Sequence, residues 1–275
     1  MRLVVQFLTV AVIAFVGNQG VVAVQGNPWL TLVLGIATAV LAVLGYAWAV
    51  RRTERRAPVE VGRTGAVAAV GRGLLIGVAM CGSVIAAIAG LGGYAIDGAG
   101  SATGAVALFG FMAAAAVTEE LLFRGVVFRL VEERTGTWVA LALTGVLFGA
   151  SHLLNPHADA WGAIAIAIEA GFMLAAAYAA TRTLWVPIGL HFGWNFALGG
   201  IFSAEVSGND TAKGLLDSTL SGPDLVTGGT FGPEASLCAV TAGALLTVVF
   251  LWLAHRRGHL VPRRRAARAT ATLVP

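Results

Sequence analysis

Eight apolar stretches constrain what this chain can become. They cover residues 3–24, 29–50, 74–96, 104–130, 138–154, 161–181, 184–202 and 235–254. Each is near the ~20 residues a helix needs to cross a bilayer. Only 12% of the 275 residues are charged and 57% are hydrophobic, with a mean hydropathy of +0.83. Soluble domains are closer to a quarter charged, so the chain has too little polar surface to cover a globule in water. In lipid a backbone must satisfy its own hydrogen bonds. The expectation is an all-α polytopic transmembrane bundle of about eight spans, one integral membrane domain over residues 1–254. Gly26-Asn27-Pro28 supplies the turn between the first two spans.

Charge sets the expected orientation. With the N-terminus inside, the cytoplasmic segments hold sixteen of the eighteen Lys and Arg residues, leaving only Arg124 within a span and Lys213 outside. The loop from Ser203 to Glu234 is acidic, with Glu205, Asp210, Asp217, Asp224 and Glu234. Both termini are therefore expected in the cytoplasm. The net charge of +4 and pI near 9.7 reflect arginines that orient helices and do not point to nucleic acid. The first span is a poor signal peptide, because Asn18 and Gln19 interrupt it without a cleavage site. Residues 59–73 read as an interfacial or linker helix, and 255–275 as a basic, disordered cytoplasmic tail near anionic headgroups. Cys81 and Cys238 should lie at different depths and stay unbonded. Nothing in the sequence sets an oligomeric state.

Within this apolar background a few polar side chains stand out. Glu119 and Glu120 sit side by side in the fourth span, and Arg124 is four residues beyond Glu120. Positions i and i+4 share a helix face, so Glu120 and Arg124 can pair. Glu119 points about 100° away, without a local partner. Such a carboxyl suits a general base, but the group also reads as helix-to-helix glue. His152 ends the fifth span with Phe148 on its face; a lone histidine there is more often structural. His191 and Asn195 share a face of the seventh span, and interhelical hydrogen bonding explains them equally well. Glu169 in the sixth span would line a cavity or bond a neighbouring helix. His157 and Asp159 read as solvated loop residues.

Taken together and in order, Glu119-Glu120-Leu121-Leu122-Phe123-Arg124, Phe148-Gly149-Ala150-Ser151-His152 and His191-Phe192-Gly193-Trp194-Asn195 resemble the motifs of the CPBP (Abi) family of intramembrane proteases, which includes the type II CAAX prenyl endopeptidases. The likeness covers about residues 104–200. It implies an intramembrane endopeptidase in which Glu119, oriented with His152, activates water, while His191 and Asn195 stabilise the oxyanion. Glu120, Arg124 and Phe148 would support them. No cofactor is favoured, and the glutamate-type reading leads. Glu119, His152 and His191 remain a possible zinc set, although no His-Glu-x-x-His helix presents them. The partners implied are a peptide or membrane-protein substrate and the lipid bilayer. A proton-coupled transporter and a non-catalytic scaffold or immunity protein are the alternatives. Arginine far outnumbers the single lysine, which suggests a bacterial plasma membrane and sets prenylated substrates aside.

Overall fold

The structure, a computed structural model, describes residues 1–263. Among these it contains eight long helices and a two-stranded ribbon. Helices α1 (Arg2–Ala23) and α2 (Pro28–Glu54) pack as a hairpin. Its turn is fixed by Asn27, whose side chain accepts from the amides of Trp29 and Leu30 ahead of Pro28 at the first helical position. Then follow α3 (Ala66–Gly90), β1 (Tyr94–Ala99), α4 (Ala102–Thr135), α5 (Thr137–Leu154) and α6 (Ala160–Thr181). The last elements are α7 (185–201), β2 (Leu216–Leu220) and α8 (Leu237–Arg256). All but α7 are long and apolar enough to cross a bilayer. Large apolar side chains such as Phe15, Val33, Leu44, Leu245 and Val248 are exposed on the outside, where lipid replaces water as solvent. This is an integral membrane protein of all-α, polytopic architecture.

The expected span at 184–202 is the shortest of the eight. Eleven α-helical residues (Trp185–Asn195) run into six in wide π-type turns (Phe196–Ile201), and most of the helix is buried. It forms the core because α3 lies against it through two facing pairs of glycines. A Cβ on Gly73 would sit 2.2 Å from the Val186 carbonyl oxygen, and one on Gly77 2.2 Å from that of Leu190. On α7, Gly189 and Gly193 meet the carbonyls of Val70 and Leu74 at 2.3 and 2.6 Å. Small residues four apart on both helices let the backbones touch, the usual basis of tight association in membranes.

That contact also corrects the expected boundaries. Helix α3 starts at Ala66 rather than 74 and absorbs most of the segment read as an interfacial helix. Only a short turn, Val59–Val61, remains of that segment, and its Glu60 is buried. The chain leaves the helix at Gly90, not 96. Gly92 then takes a positive φ (+79°) and β1 begins. β1 pairs antiparallel with β2, Tyr94 opposite Leu220 and Ala99 opposite Leu216. The loop 203–234 is thereby pinned to the bundle instead of lying free.

The arginine-rich end is held by ion pairs. Arg129 reaches Glu54, Glu60 and Glu133, Arg56 reaches Glu54 and Glu60, Arg182 reaches Glu132, and Arg2 reaches Glu133. The first part of the expected disordered tail is ordered. The His259 ring bonds the Ala180 carbonyl at 2.9 Å, and Val261 and Thr137 exchange two hydrogen bonds. The remainder of that tail, 264–275, lies outside the described residues. Cys81 and Cys238 are both free thiols.

Candidate functional site

Among the described residues, three stretches of helix are wound in wide π-type turns, and each adjoins or contains a polar residue of the core. In α4 the winding runs over Leu121–Phe128, directly after Glu120; in α6 over Ala167–Phe172, around Glu169; in α7 over Phe196–Ile201, directly after Asn195. Such turns shift side chains off the regular helical register and are frequent at functional sites.

Glu120 and Arg124, both fully buried, pair at 2.8 Å. Arg124 also donates to the carbonyls of Gly171 (2.9 Å) and Ala170 (3.3 Å), which the wide turns of α6 leave available. Its guanidinium lies 4.5 Å from the centre of the Phe148 ring, a cation–π contact. Glu120 Oε1 also takes a bond from His191 Nδ1 at 3.0 Å. A carboxylate only accepts, so Nδ1 carries the proton. His191 Nε2 then faces Glu119 Oε2 across 3.9 Å. That gap is too wide for a direct hydrogen bond, and Glu119 Oε2 has no partner. The Glu119 side chain keeps 31% exposure where Glu120 and Arg124 keep none.

His191 also borders a small cavity of about 10 Å³, room for roughly one water. His152, Glu169, His191, Asn195 and Glu234 contribute to its wall. His152, in the short turn that ends α5, bonds the Phe148 carbonyl through Nδ1 at 2.7 Å. It makes no hydrogen bond to Glu119, with which the motif pattern had associated it. The structure thus links Glu120, Arg124, Phe148, His152 and His191 through direct contacts, sets Glu119 3.9 Å from His191, and brings Asn195 in beside His152 and His191 on the cavity wall. Among the described residues no three His, Cys, Asp or Glu side chains stand as a metal-binding group, so the set Glu119, His152 and His191 is not gathered as zinc ligands.

Glu234 was missed at the level of sequence, where it was counted only as part of the acidic loop from Ser203 to Glu234. It is buried. Its Oε1 accepts from the Trp194 indole at 3.1 Å, and its Oε2 from the backbone amide and hydroxyl of Ser207 at 2.5 and 2.8 Å. The carboxyl thereby fastens the loop against the cavity, which Ser207, Glu234 and Asn195 all help to line. Burial raises its pKa above the ordinary carboxylate value, while the Ser207 and Trp194 donors and the nearby His152 oppose that shift. The apolar surroundings of Glu234, in Phe231-Gly232-Pro233-Glu234-Ala235, were the only signal. His157 and Asp159 behave as expected of loop residues: His157 pairs with Asp210, and Asp159 caps α6 through the Gly162 amide.

Comparison with known proteins places the same segment. Residues 101–197 match the family described as type II CAAX prenyl endopeptidase Rce1-like, so this part of the chain is Rce1-like in sequence. It contains Glu119, Glu120, Arg124, His152, His191 and Asn195. The chain is also similar to the "Putative membrane peptidase YdiL" of Bacillus subtilis (strain 168), with 33% identity over 79 residues, 29% of this chain and 30% of that protein. The match thus spans under a third of the relative's length. No solved structure matches.

Proposed function

We propose that the chain is an intramembrane endopeptidase of the bacterial plasma membrane that hydrolyses a peptide or membrane-protein substrate. The observation that carries this reading is the gap between Glu119 and His191. Glu120 fixes the proton on His191 Nδ1, which turns Nε2 toward a buried, unpartnered oxygen of the otherwise partly exposed Glu119 side chain. Two acceptors facing each other call for a proton between them. With that proton on Nε2, Glu119 is a free base for water, and His191 and the Asn195 amide are donors for the oxyanion that forms at the scissile carbonyl. A positioned base is worth roughly 10²–10⁴ in rate, and an oxyanion donor roughly 10²–10³. Arg124 and Phe148 hold Glu120 and His152 in place. A scaffold that kept these groups for packing would have no use for an unpaired Glu119 oxygen. The Rce1-like match and the YdiL likeness support the peptidase class.

The test uses the detergent-purified protein and a pooled library of membrane peptides. Wild type, Glu119→Gln and His152→Ala are compared with and without a strong chelator, alongside elemental analysis. Cleavage by the wild type that survives chelation and is lost in Glu119→Gln supports the glutamate-type reading. Loss on chelation with recovery on added zinc assigns the same residues to a metal. Full activity of Glu119→Gln overturns the assignment.

A further inference from the structure

Glu169 is a fully buried carboxyl for which the chemistry above has no task. Neither of its oxygens has a hydrogen-bond partner. A residue retained to tie helices together would show such a partner, and Glu169 does not. Arg124 of α4, which reaches the carbonyls of Ala170 and Gly171 just beyond Glu169, spends its other terminal nitrogen on Glu120. That arrangement holds the wide turn of α6 on which Glu169 sits. From the opposite side Gly243 of α8 closes on the Glu169 backbone, where a Cβ would lie 2.4 Å from its carbonyl oxygen. The carboxyl is thus held firmly on the wall of the water-sized cavity that it shares with His152, His191 and Asn195. A carboxylate without a partner is far more costly to bury than a neutral carboxyl. The group is placed and provisioned to carry a proton.

We propose that Glu169 is the proton donor to the leaving amine, an inference that rests on the peptidase reading of the site. As the water oxygen bonds the carbonyl carbon, Glu119 takes one of its protons. When the tetrahedral intermediate collapses, the C–N bond breaks and the Glu169 proton passes to that nitrogen, so the amine departs neutral. The proton held by Glu119 then returns by way of solvent to Glu169, which restores both groups. This division gives base and acid separate carboxyls, Glu119 facing His191 Nε2 and Glu169 on the wall of the cavity that His191 borders.

Glu169→Gln preserves shape and removes the acid. The test pairs a peptide cleaved by the wild type with its ester analogue at the scissile bond, since an alcohol leaves without the help an amine needs. For Glu169→Gln, kcat on the amide should fall by about 100-fold or more, while kcat on the ester stays within about threefold. An equal loss on both substrates would mark a structural role, and no loss on either would leave no role; both results overturn the proposal. A second measurement needs no substrate. Infrared difference spectra between wild type and Glu169→Gln at neutral pH should show a protonated-carboxyl band that shifts in D2O. Absence of that band means that Glu169 is ionised and overturns the proposal. A wild type that cleaves nothing sinks the peptidase reading instead, and the infrared result still decides whether Glu169 holds a proton.

Discussion

The α3–α7 contact can be broken with one methyl group. Gly77→Ala places a Cβ 2.2 Å from the Leu190 carbonyl oxygen and 2.8 Å from the Trp194 nitrogen, where ordinary contact starts at 3.4 Å. Both obstacles are backbone, so no side chain can swing aside, and the helices must part by about 1 Å. Overpacking of this kind costs ~1–3 kcal/mol. The natural control is Gly82→Ala on the same helix, where a Cβ meets nothing within 4 Å. Both substitutions bring the same gain in helix propensity, up to ~1 kcal/mol, so their difference isolates the clash. At about 2–4 °C per kcal/mol for chains of roughly 150–250 residues, Gly77→Ala should melt about 2–12 °C below Gly82→Ala. Thermal unfolding of the two detergent-purified variants measures this directly. Activity should fall as well, because Leu190 directly precedes His191 and Trp194 directly precedes Asn195, and a displacement near 1 Å can cost ~10²-fold. Equal melting of the two variants would refute the close glycine packing inferred here.

Two further outcomes follow from buried charge. Arg124→Ala leaves Glu120 buried without its cation and two α6 carbonyls without a donor; it should destabilise by ~3–5 kcal/mol and lower the purified yield, whereas Glu119→Gln should leave the melting temperature near that of wild type. Burial raises the Glu234 pKa in the folded protein, so between the unfolded and folded values the folded state binds more protons and stability falls as pH rises. Glu234→Gln should flatten that slope in melting curves taken from mildly acidic to mildly alkaline pH, and an unchanged slope would count against the loop latch.

Much of the site was legible in the sequence because helices turn spacing into geometry. Glu120 and Arg124 had to share a face, as did His191 and Asn195, and an apolar background makes each charge conspicuous. The remainder depended on departures from regular winding or on contacts distant in sequence. The wide turns after Glu120, around Glu169 and after Asn195 have no signature in hydropathy, yet they decide which way those side chains point. The closeness of α3 and α7 was written in Gly73, Gly77, Gly189 and Gly193, on two spans more than a hundred residues apart. Glu234 was hidden for the opposite reason: a loop composition that reads as solvated places one carboxylate against Trp194 and Ser207. The span at 184–202 was recognised, but its brevity and burial became visible only once its partners were known.

The distribution of unmet polar groups bears on function more directly than the motifs do. At the arginine-rich end, Glu54, Glu60, Glu132 and Glu133 each meet an arginine, which is what stability alone requires. In the core the same chain leaves Glu119 Oε2, one oxygen of Glu120, Arg124 Nε and both oxygens of Glu169 without partners. A fold that can give buried Glu60 and Glu132 their arginines does not leave its other buried carboxyls unmet for want of cations. Local rules broken without a visible structural gain are expected where a protein has another use for the groups concerned. Here they lie around one histidine: Glu119, with a partly exposed side chain, faces its Nε2, and Glu169 sits on the wall of the small cavity that the histidine also borders. That asymmetry is what a base and a separate proton source would need, and a purely structural cluster would have no reason to maintain it.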